Sequence, residues 1–207
     1  GKQGEIIMWA LLNNDNTINE LIPRPKGLTI GDIQYPRTIF NMWTASELEA
    51  LKIYEVVINN TNLKDDSYYR NTEQTFAFAS GTVTASYGTA TARALDNVLW
   101  TAEDEAAFAW KVEGEVKEKG IRNAHKVSVN LQAGSLLQAT DWYTLRAASG
   151  GTAIPSSVST YQAGVRTKAN AMCTLITNAA NVDALAALYV YNDASPSVRP
   201  LGQFPTL

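Results

Sequence analysis

The stretch Leu136-Leu137-Gln138-Ala139-Thr140-Asp141-Trp142, followed by a second apolar-periodic segment over Pro155–Thr177, decides the reading of this chain. In the second segment Val158, Tyr161, Val165, Ala169, Met172 and Ile176 recur at spacings of three or four. That spacing puts them on one face of a helix, with Pro155 suited to its first turn. Leu136 and Leu137 are then expected to face this helix, Asp141 to satisfy free amides at the turn, and Trp142 to close the pair. Burial of each Leu contributes about 1.5–3 kcal/mol, enough to hold such a helical hairpin.

Working back from the hairpin, the pattern from Thr101 to about Ala139 reads as helix. Glu113 and Lys117, and Glu115 and Lys119, are spaced as i,i+4 pairs, while Gly114 and Gly120 weaken the helix and favour a break near Gly120. Forward of the hairpin, Asp183–Tyr189 reads as a last short helix capped by Asn181 or Asp183, and the segment from Asn192 as an irregular tail.

The N-terminal region has a different texture. Met8–Leu12 and Thr17–Ile22 flank Asn13-Asn14-Asp15-Asn16 as a hairpin, and Thr75–Ala79 turns at Ser80-Gly81 into Thr82–Thr89 as another. Gly27–Ile33 and Tyr54–Ile58 read as extended. Thr44-Ala45-Ser46-Glu47 is a capping box for a short helix over Ala45–Leu51. These patterns predict an α+β protein in which a small antiparallel β-rich unit, residues 8–94, packs with a mainly helical unit, residues 95–191, before a tail over 192–207. Residues 1–7 read as a non-native leader ahead of a start at Met8.

Composition bounds the function. Residues 1–100 carry eight Lys/Arg against eleven Asp/Glu, and residues 101–207 carry nine of each, so neither half has the basic surplus that nucleic-acid or acidic-membrane binding uses. No apolar run is long enough to span a bilayer. The single Cys173 excludes an intramolecular disulfide, and with the single His125 it excludes a zinc or iron site of His/Cys type. Cys173 adjoins the Met172 face and reads as a small buried thiol. Asp65-Asp66 and Glu103-Asp104-Glu105 lack the glycine-punctuated spacing of a calcium loop. No phosphate-binding glycine loop, nucleophile elbow or dinucleotide fingerprint is present, so the sequence predicts no catalytic residue, no metal and no cofactor.

The paired Leu with Thr140-Asp141-Trp142, then Tyr161-Gln162-Ala163-Gly164-Val165-Arg166, resembles the small tail assembly chaperones of bacteriophages. Tyr35-Pro36-Arg37 through Trp43, with Glu47–Tyr54, is similar to N-terminal segments of tail-fibre-associated proteins. The two matches cover roughly a third of the chain. Where the chaperones carry Arg-Asp ahead of the paired Leu, this chain has Gly134-Ser135. The resemblance implies a non-enzymatic protein that binds a phage tail or tail-fibre subunit, in the host cytoplasm during assembly or in the virion. A homo-oligomer is compatible with it. It marks Leu136, Leu137, Asp141, Trp142, Tyr161 and Arg166 as partner-binding residues.

Tyr68-Tyr69, in a polar loop, is the aromatic pair expected to be exposed and to offer a further contact. An alternative reading is a ligand-binding module, most naturally for glycans, using aromatics of the β-rich unit.

Overall fold

The computed structural model describes residues 8–207, and the expected leader at residues 1–7 lies outside the described residues. The architecture is α+β, and the chain divides between Thr91 and Ala92 into two units.

The first unit starts with the hairpin of β1 (Trp9–Leu12) and β2 (Ile18–Ile22). Asn16 takes a left-handed conformation in the turn, and the Asp15 carboxylate accepts hydrogen bonds from the Thr17 amide and hydroxyl. Asn and Asp are suited to both tasks. A second hairpin, β3 (Leu28–Ile30) with β4 (Ile33–Tyr35), turns at Gly31. Two short helices follow, α1 (Ile39–Met42) and α2 (Ala45–Ala50). The capping box on α2 is formed: the Glu47 amide donates to Thr44 Oγ1 at 3.3 Å, and Glu47 Oε2 accepts from the Thr44 amide at 2.7 Å. That amide, then the Thr44 hydroxyl, holds the Glu47 carboxyl below its ordinary pKa.

β5 (Ile53–Asn59), β6 (Tyr69–Arg70), β7 (Gln74–Ala79), β8 (Thr82–Tyr87) and β9 (Thr91–Ala92) complete this region. Five strands form one sheet in the order β2-β1-β5-β8-β7, while β6 pairs with β9. Within the five-stranded sheet one pairing departs from the expected antiparallel pattern: β5 and β8 run parallel, Val56 opposite Val83. The reason is topological. The chain crosses from β5 to the far edge of the sheet before β7, and β8 returns by a tight hairpin to lie between them, antiparallel to β7 and parallel to β5.

Strand β1 is buried on both faces because it separates two cores. Trp9 and Leu11 point into one, with Ile22, Leu28, Phe40, Leu48 and Ile53, under the cover of α1, α2 and β3–β4. Ala10 and Leu12 point into the other, with Val56, Val83 and Ala85. There β2 approaches β7, so the sheet curls around Tyr54, Phe76 and Phe78. The aromatic contacts Trp9–Phe40 and Tyr54–Phe78, each with centroids 4.8 Å apart, sit in separate cores.

The second unit begins with β10 (Val98–Leu99), α3 (Ala102–Ala107) and β11 (Val116–Glu118). This corrects the expected helix from Thr101 up to the break near Gly120. The helix stops at Ala107, and β11 pairs back on β10, with Val98 opposite Glu118 and Leu99 opposite Val116. Gly114, at φ +83°, makes the turn. Glu113–Lys117 and Glu115–Lys119 are therefore not helical pairs, and Lys117 reaches Asp104 instead at 3.4 Å. Lys111 supplies the competing tertiary contacts. Its ammonium lies 4.6 Å from the Trp100 ring centroid, 4.2 Å from that of Phe108 and 5.3 Å from that of Trp110, beside Asp104. Cation–π contacts of this kind outweigh a helix already weakened by glycine.

The rest is helical: α4 (Ile121–Gln138), α5 (Asp141–Ala148), α6 (Ser156–Asn178) and α7 (Val182–Ala187). Gly120 is the N-cap of α4, so the predicted break falls just before a new helix. α7 is capped by Asn181, whose Oδ1 accepts from the Ala184 amide at 2.8 Å. The tail has no helix, yet it is packed. Leu201 is buried and donates its amide to the Leu188 carbonyl, and Pro205 reaches α6 beside Gly164.

Candidate interaction surface

Helices α4 and α6 run antiparallel, as their cross-contacts require. Lys126 Nζ reaches Thr177 Oγ1 at 3.4 Å, Cys173 Sγ lies 3.8 Å from Asn130 Oδ1, and Gln162 Nε2 donates to Thr140 Oγ1 at 3.0 Å. The buried face of α6 is Val158, Gln162, Val165, Ala169, Met172 and Ile176. It is the predicted face with one replacement: Gln162 is buried where Tyr161 was expected, and Tyr161 is half-buried. Gln162 continues the three-and-four spacing, but a polar side chain hides in such a pattern unless its partner is known. Thr140 is that partner, 2 % exposed, and its hydroxyl in turn donates to the Leu137 carbonyl.

On α4 the buried residues are Val129 and Ala133, with Leu136 and Leu137 half-buried toward its end. Asp141 is exposed in the first turn of α5, where its charge suits the helix N-terminus. Trp142 does not close the helical pair. It is half exposed, stacked on Tyr143 with centroids 3.7 Å apart, and the Arg146 guanidinium lies 4.9 Å from its ring. The Thr140–Gln162 pair takes the closing position. Arg166 is exposed on α6.

Tyr68 and Tyr69 are not the exposed pair expected of a polar loop; both are half-buried. Tyr69 belongs to β6, and the loop before it is folded by Asn71, whose side chain bonds the Lys64 amide and carbonyl. Burial, then the neighbouring Asp65 carboxylate, pushes the Tyr68 hydroxyl pKa up. Among the predicted contacts, Asp141, Trp142 and Arg166 are therefore open to a partner, and the tyrosine pair is only partly so.

A surface feature not singled out from the sequence lies on the outer side of the helical pair. From Val127 to Thr140 and from Ala169 to Val182 no Asp, Glu, Lys or Arg occurs. Helices with one solvated face ordinarily carry charge there. Here Val127 and Leu131, one helical turn apart, are 48 % and 70 % exposed, and Gly134 and Gln138 continue the same side. On α5, which buries no residue, Leu145 is also exposed. The signal was legible as a charge-free run, but its exposure was not.

Two further groups were candidates for chemistry. His125 is half-buried, its Nδ1 2.8 Å from the Tyr189 hydroxyl, and burial pushes its pKa down. Cys173 is half-buried rather than fully enclosed. Among the described residues no group of three His, Cys, Asp or Glu is placed to hold a metal ion, and no helix is long and apolar enough to cross a membrane.

No protein-family model, curated protein or solved structure matches this chain.

Proposed function

We propose that this chain is a non-enzymatic structural or assembly protein of the phage type, binding a tail or tail-fibre subunit through its helical unit. The observation that carries the reading is the charge-free outer side of α4, with Val127 and Leu131 open to solvent. A helix face that stays in water gains little from excluding charge, whereas depletion of charge is what the core of a protein interface shows. Trp142, stacked against Arg146 at one end of the pair, adds an aromatic and an arginine, the residue types enriched where binding energy concentrates.

Size-exclusion chromatography with light scattering tests this, on the chain alone and after mixing with the proteins encoded by neighbouring genes. A discrete complex with one neighbour is expected. Leu131→Glu is expected to abolish that complex while shifting stability by no more than about 0.5 kcal/mol, as for exposed positions generally. A chain that ignores every neighbour, or a complex indifferent to Leu131→Glu, would overturn the assignment of this face.

A glycan-binding module is the second reading, and one observation favours it. Trp110 is 71 % exposed beside Phe108 and Trp100, an aromatic cluster that also holds the Lys111 ammonium. It lies outside the β-rich unit, where the main aromatic contacts are internal. A glycan-array screen in which Trp110→Ala removes binding would support it.

A further inference from the structure

In the first unit, past Ile53, the outer face of β5 loses its cover. Ile53 is fully buried under α2, but Glu55 and Val57, the next residues on that face, are exposed. A cleft of about 490 Å³ opens there, with Trp9, Phe40 and Trp43 in its walls and Glu49, Glu55 and Val57 around them. Among the described residues its lining contains two carboxylates and no Lys, Arg or His. Glu55 sits across the strand pair from Trp9, so no cationic cross-strand neighbour neutralises it. Among the described residues, neither the Glu49 nor the Glu55 side chain has a hydrogen-bond or ion-pair partner.

We propose that this cleft takes an arginine side chain presented by a protein partner. The charge complementarity is specific in kind. A guanidinium stacks flat on an indole and forks to a carboxylate, while its aliphatic stem packs on Val57 and the aromatic wall. Lysine supplies the charge without the flat stacking surface or the fork. A neutral apolar side chain fills the walls but leaves both carboxylates unpaired. This site lies on a different unit from the charge-free helix face and does not depend on it.

The test is an NMR titration of the full chain, following the Trp43 indole N–H, with N-acetyl-arginine amide and its neutral isostere N-acetyl-citrulline amide. Arginine is expected to shift the Trp43 resonance with saturation, and citrulline to bind about tenfold more weakly. Glu55→Gln and Glu49→Gln, both at exposed positions, are expected to weaken the arginine titration several-fold and leave the citrulline titration unchanged. Leu131→Glu is expected to alter neither, which separates this site from the helical surface. Equal titrations by the two amides, or an arginine titration unmoved by Glu55→Gln, would overturn the proposal.

Discussion

The side-chain amide of Gln162 donates to Thr140 Oγ1 at 3.0 Å, and both residues are buried. With a longer contact to the Thr140 carbonyl at 3.4 Å, it ties the end of α4 to the first half of α6.

Removing one partner strands the other. Thr140→Val is expected to cost about 1–3 kcal/mol, because the Gln162 amide keeps only its 3.4 Å contact with the Thr140 carbonyl. Thr140→Val combined with Gln162→Met is expected to recover most of the loss, since an apolar pair of similar volume leaves nothing unsatisfied. Urea denaturation of the two single variants and the double variant measures it. Additive losses would show that the contact is not what stabilises this end.

Gly120 is required by close approach. A Cβ there would lie 2.3 Å from the Asp96 carbonyl carbon and 2.6 Å from the Leu95 oxygen, both backbone atoms. Gly120→Ala is therefore expected to destabilise the second unit by about 1–3 kcal/mol or more, as overpacking against immobile atoms does. Thermal unfolding followed by circular dichroism reads the change. Gly134→Ala, with open space around its Cβ position in the exposed side of α4, is the control and is expected to stabilise slightly.

His125 makes stability depend on pH in a definite direction. Its folded pKa is below the ordinary 6.5 because burial disfavours the charged ring. The unfolded chain therefore binds more protons near and below pH 6.5, so stability is fully present above that pH and falls as the pH drops toward the folded pKa. Protonation makes both ring nitrogens donors, so that Nδ1 can then only donate to the Tyr189 hydroxyl. Denaturation midpoints from pH 7.5 to 5.5 are expected to fall more steeply for the native chain than for His125→Asn. Parallel slopes would show that His125 contributes nothing in this window.

Local chemistry made much of the fold legible. The Thr44–Glu47 capping box, the Asn13–Asn16 turn and the Ser80-Gly81 hairpin each depend on residues within a few positions of one another, and each formed as read. The apolar series on α6 was also legible, because helical periodicity is written in the sequence itself. Misreadings came where a distant residue decided the outcome. Lys111 and its three aromatic neighbours pulled residues 108–118 out of a helix that their local pattern allowed. Trp142, expected to close the helical pair, is half exposed, and Thr140 and Gln162 satisfy each other in that place.

The sequence by itself determined the α+β class, the paired helices and the absence of charge along α4 and α6, since these follow from spacing and composition. Only the tertiary structure decided that Val127 and Leu131 face outward, that β5 runs parallel to β8, and that Glu49 and Glu55 share a cleft with Trp43. The physical reason is common to all three. A charge-free or alternating pattern states which residues can be buried, but which of them are buried depends on long-range contacts whose energies no local window contains.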